Sequence, residues 1–178
     1  MPQIVIDASS LIILAKLQGI QQLYEVYGVI RIPPAIYEEC VIAGKRLRKN
    51  DAFVIETAIA KEQITMVHLT EKQQGFAQQW HDDGILDLGE CECLAYAKDT
   101  DTLVLIEERK GRIIARASEI KYIVLQVFPL HGYIQRKLSY EAATKLIDKI
   151  AVAMNTDFAI VQALKVAINT IHLERSES

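Results

Sequence analysis

Ile4-Val5-Ile6-Asp7-Ala8-Ser9-Ser10-Leu11-Ile12 is the stretch on which the reading of this chain turns. Three apolar, β-branched residues in succession suit a strand buried on both faces, as in a parallel sheet. The run stops at Asp7, and Ala8-Ser9-Ser10 starts a new element. A carboxylate just past the carboxyl end of a buried parallel strand sits where open α/β sheets place their ligands. Asp7 also has a plainer reading as the N-cap of the helix that follows, a role Ser9 or Ser10 fills equally well.

Four further β-branched runs, 29–32, 64–67, 103–106 and 122–125, are expected as strands. Helical spacing or composition covers 11–16, 34–43, 52–61, 71–80, 88–98 and 110–119, and Pro33-Pro34 marks a helix start. This alternation predicts an α/β fold around a mainly parallel sheet of about five strands. After Ser139, a candidate N-cap, two helical stretches run through Ile150 and over 157–172 with no strand between them. The expected organisation is a domain over 1–138 with a helical extension, 139–178, packed on it. No repeat, low-complexity tract or Gly/Ser linker separates the two, and 178 residues suit one sizeable core.

A formal charge of −3 and a pI near 5.8 exclude a broadly basic protein. Any contact with nucleic acid then falls to local clusters. Two are present, Lys45-Arg46-Leu47-Arg48-Lys49 and Arg109-Lys110-Gly111-Arg112, each equally readable as a solvated face. Cys40, Cys91 and Cys93 are an odd set and read as small buried residues of a reducing cytoplasm. His68, His81, His131 and His172 lack metal-ligand spacing and read as surface or packing residues. No segment has the length of a membrane span, so a soluble, unprocessed protein is expected. Nucleotide-cradling GxGxxG and GxxxxGK[ST] patterns are absent from the sequence.

The acidic residues carry more. With 34–43 helical at about 100° per residue, Glu39 lies beside the apolar stripe Ile36, Cys40, Ala43, while Glu38 points nearly opposite. In 88–98 the same geometry aligns Glu90 with Cys93, Leu94 and Ala97, and puts Glu92 on the face of Tyr96 and Asp99. Glu107-Glu108 ends the 103–106 run much as Asp7 ends the first. Taken singly, each glutamate is more often a solvated residue. Four acidic positions in matched settings are the chemistry of a divalent-metal site.

Ile4–Ile12, Ile32-Pro33-Pro34-Ala35-Ile36-Tyr37-Glu38-Glu39, Leu88-Gly89-Glu90-Cys91-Glu92-Cys93-Leu94-Ala95 and Leu105-Ile106-Glu107-Glu108-Arg109-Lys110-Gly111-Arg112 together resemble a PIN domain. More narrowly they resemble its VapC-like branch, over residues 3–138. The resemblance implies a three-layer α/β/α fold and an acidic site that binds Mg²⁺ or Mn²⁺ and hydrolyses RNA. It implies Asp7, Glu39 and Glu90 as members of that site, with Ser9 supporting the first acid. The fourth member, normally an aspartate after the fourth strand, falls here on Glu107 or Glu108, each one methylene longer. Arg109, Lys110 and Arg112 are assigned to the RNA backbone by adjacency alone.

The expected function is therefore a divalent-metal-dependent ribonuclease, with the toxin of a type II toxin–antitoxin pair as its finer form. A homodimer and a small antitoxin protein are the partners this implies. The alternative is a PIN-fold RNA- or protein-binding module whose metal site is impaired by the change to glutamate. A hydrolase of the haloacid dehalogenase type also begins with an aspartate after a strand, but wants a second acid where Ser9 stands. In the last helix, Phe158, Val161, Leu164, Ile168 and Ile171 form an apolar stripe. Ile160, Ala163, Val166 and Ala167 widen it enough to meet either its own core or a second chain.

Overall fold

Ile4, Val5 and Ile6 are wholly buried in the computed structural model, which describes residues 3–177. They form β1 (Ile4–Ile6), the central strand of a five-stranded sheet with β2 (Ile30–Ile32), β3 (Ile64–Met66), β4 (Leu103–Leu105) and β5 (Tyr122–Ile123). The order is β3-β2-β1-β4-β5 and every pairing is parallel, with Ile4 opposite Ile30 on one side and Leu103 on the other. Burial of β1 on both faces is what the unbroken apolar run requires. The winding reverses between β1 and β4, and the crevice beyond the carboxyl ends of those strands is the switch point of an open α/β sheet.

Around the sheet lie α1 (Ala8–Leu17), α2 (Ile20–Tyr27), α3 (Pro34–Tyr37), α4 (Gly44–Arg46), α5 (Asn50–Ala60), α6 (Glu71–Asp82), α7 (Leu88–Thr100) and α8 (Arg109–Ala117). The expected strands and helices are present with ends shifted by a few residues. The helix α2 was not expected, although Ile20, Leu23, Val26 and Tyr27 are buried at helical spacing. Between α3 and α4 the chain widens into a π-helical turn, Glu38–Ala43, in which the Gly44 N–H reaches the carbonyl of Glu39. The extra residue in that turn corrects the face derived for a regular helix. The buried row is Ile36, Cys40, Val41 and Gly44, and Ala43 is only half-buried. Single π turns of this kind are frequent at functional sites.

On the face of α7 that holds Glu92, Tyr96 and Asp99, the first two are half-buried and Asp99 is exposed, and each bonds to another element. Glu92 Oε2 accepts the Ala35 N–H at 2.8 Å, capping α3 where Pro33 offers no side-chain acceptor. Tyr96 accepts from Arg31 Nε at 3.0 Å, and Asp99 accepts from Lys72 Nζ at 2.6 Å and Gln73 Nε2 at 3.1 Å. These contacts tie α7 to β2, α3 and α6. Spacing along α7 gave no sign of them, because each partner comes from another element.

The chain divides into two compact units, one ending at Ile123 and one beginning at Val124. The second contains α9 (Phe128–Ile134), α10 (Tyr140–Met154) and α11 (Phe158–Ser176). Ser139 caps α10 by accepting the Ala142 N–H at 3.1 Å. The unexpected helix α9 belongs with the terminal pair, so this unit starts well before Ser139. Tyr133 bonds His172 Nδ1 at 3.0 Å, and Tyr140 stacks on the same imidazole at 4.1 Å. In α11, Leu164 and Ile168 are buried, but Phe158 is 75% exposed, so the expected stripe loses its first member. Among the described residues no helix is long and apolar enough to cross a membrane.

Two glycines give opposite expectations. A Cβ on Gly44 would lie 2.8 Å from Ala52 Cβ, which has no flexible end to move aside. Gly75, inside α6, has nothing within 4 Å. Gly44→Ala should cost about 1–3 kcal/mol, while Gly75→Ala should gain about 0.5–1 kcal/mol by removing chain entropy and raising helix propensity. Thermal unfolding of both variants reads this directly, and a lower Tm for Gly75→Ala than for Gly44→Ala would contradict the packing described.

Candidate active site

Asp7 is 1% exposed, and each of its carboxylate oxygens is held by a backbone donor. Oδ1 accepts the Ser10 N–H at 2.8 Å and Oδ2 accepts the Glu107 N–H at 2.8 Å, while the Ser9 hydroxyl donates to Oδ1 at 3.3 Å. The residue is thus the N-cap of α1 and a strand-end acid at once. Burial raises its pKa more than these donors lower it. The Ser10 hydroxyl is close enough to lower the pKa further, yet it misses hydrogen-bond geometry and has no partner among the described residues. An acid held in this way still has lone pairs for a cation, and a cation would offset the cost of its burial.

The Glu107 peptide that meets Asp7 is itself fixed, because the Arg112 guanidinium donates to its carbonyl oxygen. Arg112, assigned to RNA by adjacency, is therefore engaged with the protein's own backbone. Glu107 is half-buried. Glu108 is exposed, caps α8 by accepting the Lys110 N–H at 3.3 Å, and stands in the wall of a cavity of about 380 Å³. That wall also includes His81, Leu86, Asp87, Glu90 and Lys110. Arg109 is exposed at the start of α8.

The Glu90 carboxyl is pushed up to about 7, first by burial and then by the charge of Asp7, with Asp87 and Glu108 adding to it. The Asp87 backbone N–H, which its carboxylate accepts, pulls the other way. Glu39 is raised by burial and by the charges of Asp87 and Asp7, partly offset by Lys49. Asp87, Glu90 and Glu108 thus share the cavity wall and Asp7 acts on Glu90 by its charge, while the exposed Glu39 lies outside that wall and feels Asp87 and Asp7. Asp87 lies neither at a strand end nor on an apolar helix edge, the two settings that single out the other acids in the sequence. Its signal was an N-cap residue type just before Leu88, three positions ahead of Glu90. As the N-cap of α7 its side chain makes no capping bond, which leaves its charge to the cavity.

Two thiols pack behind Asp7, Cys93 donating to the Ile6 carbonyl at 3.3 Å and Cys40 to that of Ala8 at 3.9 Å. Burial pushes Cys40 up to about 12, so it stays a protonated packing group. The remaining donors are carboxylates, the oxygen ligands that Mg²⁺ and Mn²⁺ prefer, and their mutual repulsion is what a divalent cation relieves. In type the set fits such an ion. Among the described residues no three His, Cys, Asp or Glu side chains already converge closely enough to hold one.

The model of a protein family described as a PIN domain, DUF3368, matches residues 3–153. The chain belongs to this PIN-domain family. Its fold is thus of a nuclease type, and the match takes in every acid discussed above. No curated protein matches the chain.

The acidic site of this PIN domain has a thermodynamic signature. The Glu90 carboxyl titrates near 7 in the folded state and near its ordinary value of about 4.5 when unfolded. Between those values the unfolded chain loses the proton first, so stability falls as pH rises, and the full penalty is present above pH 7. Glu90→Gln removes the penalty. Screening at a partly exposed group reduces it to about 1 kcal/mol, or a Tm rise of about 2–4 °C, in alkaline buffer. The gap from the parent should close as pH falls towards about 4.5; a gap independent of pH would refute the coupling.

Proposed function

We propose that this PIN domain is a divalent-metal-dependent ribonuclease that hydrolyses phosphodiester bonds to leave a 5′-phosphate and a 3′-hydroxyl. The observation that supports the reading is the buried Asp7 at the β1/β4 switch point, whose charge, with those of Asp87 and Glu108, adds to burial in raising the Glu90 carboxyl. Asp7 and Glu90 would hold Mg²⁺ or Mn²⁺ directly, with Glu39, Asp87 and Glu108 around them. When bound, the ion supplies positive charge that polarises the phosphate and lowers the pKa of water. Ser9 and the Ser10 and Glu107 N–H groups fix the Asp7 carboxylate, which saves its reorganisation at the moment of reaction. Lys110 in the cavity wall, with Arg109 beside it in the chain, meets the anionic backbone of the substrate.

In its finer form the proposal makes the protein a cytoplasmic toxin, restrained by a small antitoxin whose segment fills the acidic cavity. It also makes the protein a homodimer through the exposed apolar residues of α10 and α11, among them Val152, Phe158, Val166 and Leu173. Growth arrest on inducing the wild type, absent with Asp7→Asn, supports the toxin role.

The nuclease reading is tested by incubating structured and single-stranded RNAs with the protein and Mn²⁺. Asp7→Asn should lower the cleavage rate by roughly 10²–10³-fold, the usual cost of losing one preorganised electrostatic group. Equal cleavage by both proteins would sink the reading. A wild type that neither cuts RNA nor gains Tm with Mn²⁺ would point instead to a binding module.

A further inference from the structure

His81 lies in the wall of the acidic cavity, in the last turn of α6. Beyond it the chain turns at Gly84, whose φ of 65° suits glycine, and returns so that the Leu86 carbonyl meets His81 Nδ1 at 3.2 Å. A carbonyl oxygen only accepts, so Nδ1 carries a proton and the neutral ring keeps its lone pair on Nε2. Nε2 has no hydrogen-bond partner among the described residues. The cavity wall thus includes an exposed imidazole whose tautomer is set by the Leu86 carbonyl and whose second nitrogen makes no hydrogen bond among the described residues. The charged groups that share the cavity with it are Asp87, the N-cap of α7, Glu90 in its first turn, and Glu108 and Lys110 at the start of α8. Asp82 and Asp83 adjoin it along the chain.

Hydrolysis of a phosphodiester needs a proton for the departing oxygen; a carboxyl such as that of Glu90, pushed up to about 7 in the metal-free site, would give its proton up on holding the cation and have none left to donate. An ammonium such as that of Lys110 releases its proton far less readily near neutrality than an imidazolium does. We propose that His81 is the catalytic residue that protonates the leaving 3′ oxygen. The inference rests on the ribonuclease reading above. In the step, the oxygen of water bonds to phosphorus and gives one proton to solvent, keeping the other as the hydroxyl of the new 5′-phosphate. The P–O3′ bond breaks with its electron pair on O3′. The oxygen takes the proton from Nε2, leaving a 3′-hydroxyl and a neutral His81 that regains its proton from solvent. Nδ1–H stays on the Leu86 carbonyl throughout, so the ring does not have to turn.

The test pairs two substrates. On an ordinary oligoribonucleotide with Mn²⁺, His81→Gln should lower kcat by about 10²–10⁴-fold, the range for loss of a general acid or base. The amide of glutamine retains an N–H for Leu86, and an unchanged Tm confirms that the loop is intact. On an oligonucleotide whose scissile 3′ oxygen is replaced by sulfur, a leaving group that needs no proton, the variant should match the wild type. The limb of the pH–rate profile on which activity falls as pH rises should also vanish in the variant. Independently of activity, ¹⁵N NMR of the metal-free protein should show the neutral His81 ring protonated on Nδ1. Equal slowing on both substrates, or a ring protonated on Nε2, would overturn the proton-donor role and leave the ribonuclease reading standing. A wild type that cuts neither substrate would overturn the ribonuclease reading itself.

Discussion

A buried carboxylate with a backbone N–H on each oxygen joins three pieces of this protein. Asp7 terminates β1, caps α1 through Ser10 and reaches the end of β4 through Glu107. Its own N–H continues the β1–β4 ladder by donating to Leu105 at 3.1 Å. Removing such a charge from water costs several kcal/mol unless donors compensate it, and here the donors are fixed by the strands and helix that the residue joins. The compensation is incomplete, since burial still raises the pKa. A cation bound at the switch point would offset that residual cost.

The other acids reach that point by different routes. Glu90 and Asp87 stand at the N-terminus of α7, whose opposite side is fastened through Glu92, Tyr96 and Asp99. Glu39 is carried on a π turn that directly follows α3, the helix capped by Glu92. Glu108 caps α8, whose Arg112 in turn steadies the Glu107 peptide against Asp7. A carboxylate set held by separate elements keeps its charges near one another without shared hydrogen bonds. Burial first, and then repulsion, raises the pKa values of Glu39 and Glu90.

The fold was legible wherever burial leaves a periodic mark. Ile4–Ile6 reads as a central strand because both faces are covered, and Pro34 marks the start of α3 because its missing N–H costs nothing there. Asp7 stood out because a charge interrupts an apolar run. The π turn was hidden, since it alters spacing without altering composition, and so the apolar row around Glu39 shifted by a residue. The partners of Glu92 and Arg112 were hidden for another reason, as they lie on elements brought near only by folding. His81 reads as a surface histidine and is exposed; what the spacing could not show is that the chain, turning at Gly84, brings the Leu86 carbonyl back to it and makes it part of the cavity wall.

The central claim is that Asp7 anchors a cation with the acids of the β1/β4 crevice. Anomalous diffraction from a crystal soaked in Mn²⁺ tests it most directly. The account predicts a single strong peak whose nearest protein atoms are carboxylate oxygens of Asp7 and Glu90, within about 2.0–2.6 Å, the contact range of hard divalent cations. No peak in that crevice at saturating Mn²⁺, or a peak that leaves Asp7 bound only to its backbone donors, would contradict it.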